Sequence, residues 1–146
     1  MADVVRKVDY FSMAVSDKAG QGVNLLDALA EAEVNLLAFT GFPRGRKAQV
    51  DFIPEDARKF TSVAKKAGWE FNPKKTGFLV QGDDRPGALA ELLRPLAEAG
   101  VNVTAMDAVV AGEGRYGAIL WVKPEDVTKA SKLLGVKRAA PTAASQ

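Results

Sequence analysis

The residues best placed for chemistry lie in one stretch, Asp83 to Leu89, which reads DDRPGAL. Two carboxylates and a guanidinium precede a Pro-Gly turn, and apolar residues at helical spacing follow it. Asp84 is expected to cap the helix, with Pro86 in the first turn, where a missing N–H does no harm. Gly87 is expected to let the backbone come close to whatever lies beside the turn. Such a turn offers unpaired backbone N–H groups and a partial positive charge, which suits an anion such as an amino-acid carboxylate. An acid or amide beside it suits an ammonium group. The same residues are good helix-start chemistry whether or not anything binds, so a purely structural turn is the competing reading.

Other chemistry is excluded by what the chain lacks. It has no cysteine, hence no disulfide, thiolate metal site or cysteine nucleophile. It has no histidine, the commonest general base and metal ligand. The neighbouring acids Glu55 and Asp56, and Glu125 and Asp126, follow prolines and read as first-turn acids. No catalytic residue, metal site or cofactor is expected, and the chain does not read as an enzyme. A hydrophobic fraction of 47% with 26% charged residues is ordinary for a soluble globular protein of 146 residues. The net charge of +2 is too small to imply nucleic acid or an anionic membrane without a clustered patch. With neither a signal peptide nor a bilayer-length apolar run, a cytoplasmic protein without membrane contact is expected.

The elements that must position the turn follow from periodicity. Residues 1 to 7 read as a polar lead, and Val8 to Val15 as a strand. After the glycine-containing turn SDKAGQG, Val23, Leu26, Leu29 and Ala30 mark one face of a helix ending near Glu33. Asn35 to Phe42 and the following RKAQVDFI form a hairpin about FPRGR. Pro54, Glu55 and Asp56 open a second helix with Ala57, Phe60, Ala64 and Ala67 inward, and Gly68 ends it. Trp69 to Phe71 is expected as a short closing strand. The order is β-α-β-β-α-β.

The chain then repeats itself. AEAEVN at 30 to 35 matches AEAGVN at 97 to 102, an offset of 67 residues that also pairs Asp17 with Asp84 and Gly20 with Gly87. IPED at 53 and KPED at 123 match at an offset of 70, so the second hairpin is about three residues longer. In the second copy Thr76 to Gln81 and Gly117 to Val122 are strands, and Ala88, Leu89, Leu92, Leu93, Leu96 and Ala97 are the inner face of a helix. Gly100 ends that helix, Pro95 should kink it, and Val127, Ala130 and Leu134 face inward from the last one. A fourth strand is poorly marked there. The expectation is an α+β protein of two tandem ferredoxin-like βαββαβ sandwiches. Residues 1–72 and 73–138 are the domains and 139–146 a disordered tail. Unpaired sheet edges favour a homodimer.

DDRPGAL at 83 to 89, a helix, and AGVNVTAMDA at 99 to 108 resemble the ACT domain, a regulatory module that senses small molecules. The first copy resembles it through Asp17, Gly20, Val34 and Asn35, but has Ala19 where Pro86 stands and Gly22 where Leu89 stands. The resemblance covers roughly residues 8 to 138 and implies a stand-alone tandem ACT protein. It implies a ligand, an amino acid, held where two copies meet, between this turn and a neighbour's second strand. Carried over, the turn residues are Asp84, Arg85, Gly87, Ala88 and Leu89, with Asp17, Lys18 and Gly20 as the first-copy equivalents. Asn35 and Asn102 come from the strand starts. A regulated enzyme is the implied partner.

Two other readings stay open. The chain can be an interaction or oligomerisation module without a ligand. The same topology also serves RNA-recognition modules, and GRYGAILWV at 114 to 122 with the basic PRGRK at 43 to 47 faintly echoes one. The aromatic spacing and the low net charge argue against nucleic acid.

Overall fold

A computed structural model describes residues 3–136 of the chain. They form two compact units, one joining residues 3–8 to 76–136 and the other running Asp9–Lys75. The elements are β1 (Val4–Ser16), α1 (Gln21–Glu31), β2 (Leu36–Arg44), β3 (Lys47–Pro54) and α2 (Ala57–Ala67). β4 (Lys75–Asp83), α3 (Ala88–Glu98), β5 (Val103–Gly112) and β6 (Arg115–Val122) follow. A 3-10 turn, Pro124–Asp126, then leads into α4 (Val127–Leu133). The class is α+β with antiparallel hairpins, in keeping with a ferredoxin-like fold.

In the unit Asp9–Lys75 the strand order is β2-β3-β1. β3 pairs antiparallel with both neighbours, placing Phe11 opposite Phe52 and Met13 opposite Val50. These side chains meet Leu25 and Leu29 of α1 and Phe60 and Ala64 of α2 in one core. Phe52 and Phe60 are fully buried, each contributing about 1.5–3 kcal/mol by removal from water. The inner face of α1 is therefore Leu25 and Leu29, with Leu26 at its margin, whereas Val23 and Ala30 are exposed. The expected face was rotated by part of a turn.

The expected strand Trp69 to Phe71 is not a strand. Gly68 takes a left-handed conformation, and the Trp69 N–H is spent on the Ala64 carbonyl at 2.9 Å, closing the helix end. Both rings pack inward: Trp69 lies 6.2 Å from Phe52, and Phe71 lies 5.7 Å from Phe11. Pairing with β1 is limited to Asn72, whose backbone and side-chain N–H groups donate to the Ser12 carbonyl and hydroxyl.

In the other unit the order is β1-β4-β6-β5. Phe78 stands opposite Leu120 and Val80 opposite Ala118, and both join Leu92, Leu96 and Ala130 in the core. Val5 belongs to this core. The first half of β1 thus supplies the strand beside β4, where residues 1 to 7 were expected to be a polar lead. Arg6 and Lys7, both exposed, interrupt the apolar alternation and hide that strand. Residues 137–146, including the expected tail, lie outside the described residues.

The helix after β4 begins later than expected. Its N-cap is Gly87, with no side-chain capping bond, so Asp84 does not cap it and Pro86 precedes it. Leu89 and Ala97 are exposed, and Ala88, Leu92 and Leu96 are the buried stripe. The helix continues through Pro95 to Glu98. At its end the Val101 N–H donates to Leu96 O (2.8 Å) and the Gly100 N–H to Ala97 O (3.1 Å), a Schellman closure.

Candidate functional site

Both candidate turns are built by the same backbone bonds, 67 residues apart. The Gln21 N–H donates to Lys18 O and the Ala88 N–H to Arg85 O, each at 3.2 Å. The Asn24 N–H donates to Gly20 O and the Glu91 N–H to Gly87 O, each at 3.0 Å. Gly20 and Gly87 are the N-caps of α1 and α3, with φ of +89° and +83°. That left-handed geometry is what glycine supplies. Among the described residues a Cβ added at Gly87 meets nothing within 4 Å, so within the chain it is the φ and not a close contact that calls for glycine.

The side chains of the α3 turn are not idle. Arg85 Nη1 donates to the Asp83 carbonyl at 2.8 Å, and Nη2 to Glu91 Oε2 at 2.7 Å. Nη1 also lies 3.5 Å from Asp3 Oδ1. The hydrogen bond to Glu91 raises the Arg85 pKa, and in return holds the Glu91 carboxyl below its ordinary value. Asp83 pairs with Arg115 at 2.6 Å across the β4–β6 ladder, and the Asp84 N–H donates to Gly114 O at 2.8 Å. Asp84 and Leu89 are exposed, while Ala88 is core. The α1 turn is plainer: Asp17, Lys18 and Gly20 are exposed, and Asn24 stands where α3 has Glu91, so the Arg–Glu clasp has no equivalent.

Asn35 and Asn102 are exposed and each follows a helix end. The Asn35 carbonyl accepts the Glu55 N–H at 2.9 Å. Within a unit each asparagine stands at the far end of an 11-residue helix from its turn, about 16 Å away at 1.5 Å per residue. Neither unit by itself brings its own turn and asparagine together.

Sequence reasoning missed Asp3, Glu91, Arg115 and Tyr116. The Tyr116 hydroxyl donates to Asp3 Oδ2 at 2.8 Å, and its pKa is pushed up to about 12, by burial first and then by that bond. Glu91 carried a local signal, an acid in the first turn of the helix behind Arg85. Asp3 carried none. Tyr116 and Trp121 are both buried, so neither offers a free ring face to a nucleic-acid base. A shallow concavity of ≈ 490 Å³ lies elsewhere, between the end of α1 and α2, lined by Ala32, Lys59, Ser62 and Lys66 among others. Lys59 Nζ donates there to the Glu33 carbonyl, and Lys129 Nζ likewise to the Ala99 carbonyl, so these lysines serve helix C-termini.

Residues 78–141 match the family model of the ACT domain. The match takes in the whole α3 turn and Asn102. Comparison with curated proteins found no match. Among solved structures the chain is similar to protein BT0572 from Bacteroides thetaiotaomicron, with a TM-score of 0.78 at 21% identity over 90% of this chain and 88% of that one. It is also similar to the ligand-free regulatory subunit of aspartate kinase from Thermus thermophilus, with a TM-score of 0.65 at 15% identity over 92% and 95%. The regulatory subunit of aspartate kinase from Thermus flavus gives 0.60 at 16% identity over 92% and 95%. At these identities the likeness is one of fold. No helix of the described residues is long and apolar enough to cross a membrane.

Proposed function

We propose that the chain is a pair of ACT-like modules that binds an amino acid or a related carboxylate and passes its occupancy to a partner, without catalysis of its own. The observation that carries the reading is the ACT match over residues 78–141, which takes in the left-handed glycine turn at Gly87. The recurrence of the same turn and helix-end bonds 67 residues away supports a second module within Asp9–Lys75. A ligand-binding regulatory role also fits the aspartate kinase regulatory subunits that share the fold.

The ligand's carboxylate meets the N–H groups beginning α3, and Leu89 contributes exposed apolar surface. Because Asn102 stands a helix length from its own turn, the site takes its asparagine from another subunit. β5 ends the strand order and exposes Val109 and Val110, at 69% and 64%, which supports a homodimer formed through strand edges. The proposed setting is the cytoplasm, and the proposed partner an enzyme that the ligand regulates. An interaction module without ligand is the second reading, favoured by the same exposed edge.

The site is tested by Leu89→Asp and Asn102→Ala, both at exposed positions. Each is expected to leave unfolding stability within about 0.5 kcal/mol of wild type and to abolish stabilisation by the cognate amino acid. A ligand response that survives both substitutions contradicts the site.

A further inference from the structure

Asp3 stands one residue ahead of β1, with its side chain only 11% exposed. Oδ2 accepts the Tyr116 hydroxyl at 2.8 Å, and Oδ1 lies 3.5 Å from Arg85 Nη1. The carboxylate fits because residue 82 is glycine. A Cβ there would fall 2.0 Å from Asp3 Oδ1 and 2.8 Å from Tyr116 Cε1. Yet Oδ1 is buried and accepts no hydrogen bond among the described residues. An ion pair at that distance with no hydrogen bond leaves a buried acceptor under-satisfied, which is costly. The surroundings suit a carboxylate better than this carboxylate is seated in them.

We infer that Arg85, Tyr116 and the gap over Gly82 form a receptor for a small carboxylate, occupied by the chain's own Asp3, which an external carboxylate can displace. The receptor's donors are of the right kind: a guanidinium for charge and a hydroxyl for direction. Tyr116 stays protonated throughout the neutral range, so the hydroxyl remains a donor. Displacement is local. Asp3 lies outside β1, so its side chain swings away without breaking a ladder bond. Exchange of one carboxylate for another leaves the charge around Arg85 and Glu91 unchanged. Tethering gives Asp3 an effective concentration in the millimolar range, so an external carboxylate displaces it only by fitting better or by being abundant. The receptor shares Arg85 with the turn of the proposed function but uses none of its backbone N–H groups, and it stands if that function fails.

The test is rescue of Asp3→Ala by acetate. Thermal unfolding of wild type, Asp3→Ala and Asp3→Ala with Tyr116→Phe is followed in sodium acetate and in sodium chloride at equal ionic strength. The acetate-minus-chloride shift in midpoint is expected to be clearly larger in Asp3→Ala than in wild type, and to vanish in the double variant. A tyrosine difference spectrum on adding acetate to Asp3→Ala gives a second readout, lost with Tyr116→Phe. An acetate shift in Asp3→Ala no larger than that of wild type, or one unchanged by Tyr116→Phe, overturns the receptor. A panel of amino acids that stabilises the protein while acetate rescue fails would leave the α3 turn standing and remove only this site.

Discussion

Glu33 and Gly100 occupy the same place in their units, just past a helix end, and both have positive φ, +58° and +75°. The Val34 N–H donates to Leu29 O and the Val101 N–H to Leu96 O, at 2.9 and 2.8 Å, so the two closures are the same motif. Glycine adopts this geometry freely, whereas a residue with a Cβ is strained by roughly 1 kcal/mol. Glu33→Gly is therefore expected to stabilise the protein by about 1 kcal/mol less the entropy glycine adds to the unfolded chain. An increase in the urea midpoint with an unchanged slope checks it, and a decrease would mean that the Glu33 side chain contributes more than its backbone costs. The repeat made this position legible, since AEAEVN and AEAGVN differ only there. Asp3 was illegible for the opposite reason. Its partner Tyr116 is 113 residues away, and no local pattern announces a pairing of that span.

Four helices solve their N-termini in different ways, and the difference sorts structure from site. Asp56 caps α2 through its side chain, accepting from the Arg58 and Lys59 N–H groups at 3.0 and 3.2 Å. α1 and α3 begin at glycine, with no side-chain cap. α4 also has no side-chain cap but continues from the 3-10 turn Pro124–Asp126. α1 and α3 are thus the two helices that start at a glycine turn, and the α3 turn is the one proposed to bind. Asp56→Ala is expected to cost about 1 kcal/mol of stability with no effect on ligand response, as read by chemical unfolding beside a binding assay. Pro54, Glu55 and Asp56 were expected in the first turn of α2, but Pro54 ends β3 and Asp56 is the N-cap, so no acid stands in the first turn. The acidic helix start was legible because capping is local chemistry, and its exact place was not. Asp84 was misjudged as a cap because an acid before Pro-Gly satisfies the same local rule, while the turn bond from Ala88 to Arg85 sets the helix start three residues later. The face of α1 was misread because Val23 and Ala30 are apolar yet exposed, and periodicity alone does not say which apolar residues the sheet covers.

The unit of residues 76–136 is completed by the far end of the chain. Val5 sits in its core beside Phe78 and Val80, and β1 is the neighbour of β4 in the strand order. Removing residues 1–8 is expected to expose β4 and cost at least the 2–5 kcal/mol typical of losing a buried apolar side chain. Hydrogen exchange checks this: β4 amides should lose most of their protection, and unchanged protection would show that the unit stands on residues 76–136 alone. Apart from the expected strand at Trp69 to Phe71 and the early start of β1, the order of elements was legible, because each hairpin and helix carries its own period. The exchange of a terminal strand was not, since it depends on pairing between distant segments.

Ligand sensing is tested most directly by thermal unfolding against a panel of amino acids and 2-oxo acids. A ligand present at a hundred times its dissociation constant adds about 2.7 kcal/mol to stability. For a chain of this size that raises the midpoint by about 5–10 °C. The account predicts such a rise with one amino acid or a small related group, and its loss in Leu89→Asp. No rise with any compound in the wild type would contradict it and leave the chain an interaction module.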